Sequence, residues 1–425
     1  MSGPPAPIDV IPEARRILAL ARKDEREAER ALAALPLAVQ VAVVCEAPAH
    51  QRAKVLGLLP SPESAVPLLP DAELVFAVKA SGLDDASWLL AIATPQQLST
   101  CFDLDAWRGV EPDRAALARW FAVLAEAGEE TLVRAAHAID AEVLALYLQS
   151  NIHVMLDPKD EQWQPPPGAQ TLEGQFWFVA KAEADDLEPV VKLLDALFRE
   201  DYWLYFRMMQ AVMWELEPEL EEWSLRWRTG RLADLGFPSW DEAMRIYGFL
   251  RPEQRTVLAD RALDHAVGEW DLPVWIPNLP ALASNPYSLF RAAFELEPDA
   301  RRAFFYAFVA LANRVAVADE LPLGDVDTLP KAIDKAAALA STGLEHVASE
   351  NGVGLGEALA RSGVEHLFRV GANLDPERAL PPLRQEDDRY VSLAWTSPSC
   401  QAVARTEEGP PARAGGPLDS PLAAA

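Results

Sequence analysis

The residues that could do chemistry are few and scattered. Histidine, the usual general base and zinc ligand, occurs six times. The positions are His50, His137, His153, His265, His346 and His366, and none makes the HExxH or HxxxH spacing that sets two imidazoles on one helix face. One recurrence stands out: Gly343–His346 reads GLEH and Gly363–His366 reads GVEH. If the helices that carry them pair, His346 and His366 share a metal, with Glu345 or Glu365 assisting. Adjacent residues on a helix point about 100° apart, however, so the Glu and His of one pair do not readily face one ion. Ordinary helix-packing histidines are the expectation, and no metal, cofactor or catalytic residue is assigned.

Other reactive arrangements are equally thin. The sequence has no GxSxG elbow, no GxxxxGKS/T loop, and no Ser or Cys beside a suggestive local base. Gly352–Glu357, GVGLGE, comes nearest to a nucleotide-binding glycine loop, but Glu357 stands where the third glycine belongs and the preceding segment reads as helix rather than strand. A flexible helix-to-helix turn is expected there. Asp103 and Asp105 in DLDAWRG open like a calcium loop, yet Trp107, Arg108 and Arg114 occupy its fifth, sixth and twelfth positions, so a capped turn is expected instead. The acidic run Glu215, Glu217, Glu219, Glu221 and Glu222 reads as a helix start with Pro218 in its first turn. On that reading Leu220, Trp223 and Trp227 form the buried stripe and Glu222 pairs with Arg226. A diffuse divalent-cation site on the acidic surface is the alternative.

Aromatic residues in proline-rich settings are the best surface candidates. Asp271–Leu282, DLPVWIPNLPAL, sets Trp275 and Ile276 among Pro273, Pro277 and Pro280, so it is extended and apolar at once. It either folds over the helical body or offers Trp275 and Ile276 to a partner. Trp163, beside Pro165–Pro167, poses the same choice.

Composition narrows the classes further. The chain has 425 residues, half of them hydrophobic, which is a globular balance with ample core. A formal charge of −27 repels a phosphate backbone, so nucleic acid is excluded as a partner and a basic partner or a cation is favoured. Cys45, Cys101 and Cys400 are odd in number and far apart, without CxxC spacing, which fits a reduced compartment. The N-terminus lacks a basic segment followed by an apolar core, and the most apolar stretch, Ala303–Ala312, is too short to span a bilayer. A cytoplasmic protein without membrane insertion is expected.

The elements that would position any site are helices. From Pro36 to Pro95 turn markers recur about every dozen residues, the length of one short helix and a turn, and apolar residues between them keep helical spacing. Helices that short persist only by stacking on neighbours. Longer helices follow at Leu117–Leu124, stopping at Gly128, and at Val143–Leu148. Asp157–Thr171 contains three consecutive prolines and reads as a linker. Ser239 and Glu242 have capping-box spacing. The expected fold is all-α: a solenoid-like array of short stacked helices over 1–156, a Pro-rich linker over 157–171, a second helical domain over 172–374, and a disordered tail over 375–425.

Two blocks, Leu89–Gly109 (LLAIATPQQLSTCFDLDAWRG) with the Trp120 helix that follows, and Trp227–Leu250 (WRTGRLADLGFPSWDEAMRIYGFL), resemble an uncharacterised bacterial family, domain of unknown function 6178. The likeness spans roughly Leu35 to Asn373. It implies an all-helical bacterial protein and carries over neither an activity nor functional residues. The short-helix array also resembles the superhelical cytosolic N-domain of MgtE-type magnesium transporters and, more distantly, a flagellar switch protein. That likeness rests on helix length and proline placement and implies cation sensing rather than transport. Together these readings favour a non-enzymatic interaction or scaffold protein with an unidentified protein partner and an open oligomeric state. A regulatory module sensing a divalent cation comes second and an enzyme of unrecognised type third.

Overall fold

The computed structural model describes residues 10–159, 162–182, 186–260, 279–326 and 329–379. The described residues hold 22 α-helices and two small two-stranded sheets, so the fold is all-α as the apolar periodicity predicts. No helix among them is long and apolar enough to cross a membrane. The segment with Trp275 and Ile276 lies outside the described residues, as does the expected tail of 375–425 beyond 379; the first residues of that tail, Pro376–Ala379, form a short helix instead.

Proline sets the rhythm of the N-terminal array, though mostly one residue earlier than the first-turn rule suggests. Pro36, Pro48 and Pro70 each precede a helix (Leu37–Glu46, Ala49–Gly57, Asp71–Ser81) with ψ near 140°. Each proline carbonyl accepts the N–H of the third helical residue, Val39, Gln51 or Glu73. The fixed φ of the ring therefore aims the chain into the helix without needing a side-chain cap. Helix Pro95–Asp105 does have Pro at its first position, behind a reciprocal Thr94–Gln97 capping box. Gln97 also donates to the Val66 and Leu69 carbonyls, which ties this helix to the preceding turn. Helix Arg114–Ala127 starts on the Asp113 carboxylate and ends at Gly128, whose φ of 111° suits a residue without a side chain. Its Phe121 stacks on Tyr147 of helix Ala141–Asn151 at a centroid separation of 4.0 Å.

The segment expected as an inter-domain linker instead closes a hairpin. Strand β3 (Ile152–Leu156) pairs antiparallel with β4 (Phe176–Ala180), from Ile152 opposite Ala180 to Leu156 opposite Phe176. Phe176 and Phe178 enter the core on alternate positions, and Trp163 from the connection packs edge-on against Trp177. The described residues through Ala379 form one compact unit. The prolines interrupt helix as expected, but strand pairing draws their two ends together. A smaller ribbon, β1 (Trp107–Arg108) with β2 (Glu111–Pro112), turns through Gly109 at φ 59°.

Beyond the hairpin come helices Glu188–Glu200, Tyr202–Trp214 and Glu217–Asp234, then Pro298–Ala318, Leu329–Asn351 and Val364–Leu374. Gly352 closes helix Leu329–Asn351 with φ 65° while Val353 N–H reaches back to the Ala348 carbonyl, so GVGLGE is a helix-to-helix turn. The last two helices cross at Gly343 and Gly371. A methyl group on Gly343 would collide with the Leu367 carbonyl, and one on Gly371 with the Leu339 carbonyl. Backbone rather than side chain would have to yield. Gly343→Ala or Gly371→Ala is therefore expected to cost about 2 kcal/mol or more in urea unfolding, despite alanine's better helix propensity. Stability equal to or above that of the parent would contradict this close crossing.

Candidate functional site

Asp103 and Asp105 lie in the last turn of helix Pro95–Asp105, not in a capped turn. Carboxylates there oppose the negative end of the helix dipole, so each needs a cation or donor nearby. Asp103, 4% exposed, receives Arg231 in a two-pronged pair, with Nε 2.6 Å from Oδ2 and Nη2 2.8 Å from Oδ1. The same guanidinium reaches Asp140 through two more bonds, of 2.9 and 2.6 Å. Asp105 accepts from Lys79 Nζ and from the Trp120 indole N–H, both at 3.0 Å. Burial pushes the Asp103 carboxyl above its ordinary value despite the Arg231 contacts. Burial also opposes the Arg231 charge, but hydrogen bonds to Asp103 and Asp140 outweigh it and hold the group protonated.

Arg228 is the second half of the clasp. It is 7% exposed and donates from Nε to the Asp103 carbonyl at 2.7 Å and from Nη1 to the Gly109 carbonyl at 3.0 Å. Its guanidinium lies 4.7 Å from the Trp107 ring centroid. Burial pushes its pKa down to about 10, so the charge persists at neutral pH. Both arginines come from helix Glu217–Asp234, whose inner face is Leu220, Ser224, Arg228 and Leu232 at steps of four. This corrects the expected stripe: Leu220 is buried, but Trp223 and Trp227 face solvent at 47% and 48% exposure. The two indoles stack at 6.1 Å, and Arg226 lies over Trp223 rather than serving as the expected partner of Glu222. Glu217 and Glu221 both accept from Arg114, a second fastening of this helix to the N-terminal part.

A third segment seals the junction. After helix Pro298–Ala318, Asp319 accepts from Tyr247 Oη and Lys335 Nζ, both at 2.7 Å. Glu320 turns back with φ 51° and lies against Gly109, where a methyl group would meet its side chain. Gly324 N–H donates to the Leu104 carbonyl at 3.0 Å. The space left between Trp107, Arg228, Trp240 and Glu320 is about 40 Å³, enough for a few waters and not for a metabolite. The junction fastens; its charges are spent on one another and on backbone carbonyls.

The paired GxEH motifs are not gathered into a metal site. Glu365 pairs with Arg314, Glu345 is exposed, and His346 is half-buried. The His366 ring is held below its ordinary pKa by burial and then by Arg369, and its Nε2 is buried without a partner. Among the described residues no group of three or more His, Cys, Asp or Glu could hold a metal ion. What the sequence reading missed is the set formed by buried Asp103 and Arg228 with the partly buried Asp140 and Arg231. Its one visible signal is the pair of aspartates at a helix C-terminus.

Removing Arg231 takes away the guanidinium that bridges Asp103 and Asp140 and leaves Arg228 as the nearby charge on Asp103. Arg231→Met is therefore expected to lower unfolding free energy by about 3 kcal/mol, with Arg231→Lys recovering only part because lysine cannot fork across both carboxylates. A loss under about 0.5 kcal/mol, the size of an ordinary surface substitution, would show that the clasp is dispensable.

No curated protein and no solved structure matches the chain. The likeness of the N-terminal array to magnesium-transporter domains therefore rests on helix length and proline placement alone. A family match does extend over residues 29–377. The segments 89–109 and 227–250, which carry that resemblance in the sequence, are the ones that the arginine clasp joins. The chain belongs to the family of unknown function DUF6178.

Proposed function

We propose that this protein is a non-enzymatic interaction module that presents the outer face of helix Glu217–Asp234 to a basic amphipathic segment of another protein. One observation carries the reading: Trp223 and Trp227 stack on each other, half exposed, on a helix whose rotation is fixed by Arg228 and Arg231. Paired exposed indoles are rare on a surface without a use for them, and tryptophan is the residue most enriched among binding hot spots. The turn that enters the helix adds Trp214 and Leu216, both exposed.

Charge selects the occupant. Glu215, Glu217, Glu219 and Glu222 surround this apolar strip and are all exposed. With a net charge of −27, a second copy of the chain would be repelled. A cationic segment is attracted from a distance and then held by the indoles. Rigid presentation lowers the ordering cost of binding.

Trp223→Ala/Trp227→Ala is the direct test, since both side chains are solvent-facing and their loss should leave thermal unfolding nearly unchanged. Proteins recovered by affinity purification on the parent chain should include a partner with a basic amphipathic segment. Its affinity for the double variant should fall by about 2 kcal/mol, roughly thirtyfold. Equal affinity for the two chains, or a partner with no basic segment, would contradict the proposal.

A further inference from the structure

A second feature, independent of the tryptophan face, lies on the other side of helix Arg114–Ala127. That helix turns alanines Ala115, Ala118 and Ala122 toward a cavity of about 600 Å³, within the size range of small-molecule sites. Its floor is Tyr147 on helix Ala141–Asn151, and its far wall is Asp186 and Pro189, where helix Glu188–Glu200 begins.

Of the polar residues that line it, Arg114 is held by Glu217 and Glu221, and Ser150 and Asn151 donate to the Leu146 and Tyr147 carbonyls, which leaves Arg119, Tyr147 and Asp186 for a ligand. Tyr147 is 2% exposed, and its hydroxyl, at the cavity wall, makes no hydrogen bond with the described residues. Phenylalanine would stack on Phe121 equally well, so the oxygen adds nothing to the packing that the ring already supplies. Arg119 is exposed on the same wall, and no carboxylate of the described residues pairs with it. Asp186 lines the cavity and accepts the Glu188 N–H through Oδ1 at 2.9 Å, while its Oδ2 makes no hydrogen bond with the described residues. After burial, its charge is the next influence raising the Tyr147 phenol.

We infer that this cavity binds a free α-amino acid with an apolar side chain. The Arg119 guanidinium takes the carboxylate, Asp186 takes the ammonium group, and the Tyr147 hydroxyl donates to a carboxylate oxygen. The alanine and proline walls accept the side chain. A zwitterion also suits a chain of net charge −27, because its charge is balanced and it is not repelled as a simple anion is.

Isothermal titration of the full chain with L-leucine tests this, with two truncated probes beside it: isocaproate, which lacks the ammonium group, and isoamylamine, which lacks the carboxylate. The expected result is saturable binding of L-leucine, with each truncated probe weaker by about tenfold or more, because a charged group of the site is then left unpaired. Arg119→Gln should lose the preference for leucine over isoamylamine, and Asp186→Asn the preference over isocaproate. Asparagine can still accept the Glu188 N–H through its side-chain oxygen, so the second variant is expected to fold. Tyr147→Phe should weaken leucine binding without lowering thermal stability in its absence. The inference is overturned by absence of saturable binding at millimolar leucine, by truncated probes that bind as well as leucine, or by variants that bind like the parent.

Discussion

One constraint organises this molecule: two guanidinium groups of helix Glu217–Asp234, Arg228 buried and Arg231 partly so, are fixed against the end of a helix early in the chain. Arg228 and Arg231 reach Asp103, Asp140 and the Asp103 and Gly109 carbonyls across more than ninety residues of sequence. Taking such charges out of water is costly, and the cost is offset only when geometry and hydrogen bonding are complete. Completeness is what the junction shows. Arg231 makes four bonds to two carboxylates, Arg228 two to carbonyls with an indole beneath it, and Asp105 is matched by Lys79 and Trp120. A hydrophobic patch would hold the same helix in several registers, whereas forked bonds to fixed acceptors hold it in one.

Other features follow from that fixed register. Because the inner face of helix Glu217–Asp234 is committed to Leu220, Ser224, Arg228 and Leu232, the residues a third of a turn away must face outward, and these include Trp223 and Trp227. Burying arginines and exposing tryptophans is the reverse of what hydrophobicity alone would choose. The turn after helix Pro298–Ala318 closes on this arrangement, the hairpin β3–β4 packs on helix Tyr202–Trp214, and the glycine crossing of the last two long helices belongs to the same compact unit.

Much of the architecture is legible in the sequence because short amphipathic helices and proline markers are local signals. Leu117, Trp120, Phe121 and Leu124 fall on a buried face as their spacing predicts, and Ser239 caps its helix through Glu242 N–H. The clasp is not legible in the same way. Arg228 and Arg231 look like ordinary solvated helix residues until Asp103 and Asp140 are known to face them, and that pairing is set by tertiary packing. Trp223 and Trp227 mislead for the same reason, since a periodicity rule assigns indoles to the core unless something stronger claims that face. Asp103 and Asp105 at a helix C-terminus are the local anomaly that betrays the junction. Strand pairing across a proline-rich connection is likewise invisible to local spacing, because β3 and β4 are joined by partners a full loop apart.

The register of helix Glu217–Asp234 depends on Arg228 and Arg231 holding it in place. Hydrogen exchange read by mass spectrometry, comparing the parent with Arg228→Met/Arg231→Met, tests it most directly. The expected result is loss of amide protection over 217–234 and over 103–112, while the crossing helices at 329–351 and 364–374 keep theirs. Unchanged protection over 217–234 would contradict the account, and so would an equal loss throughout the chain.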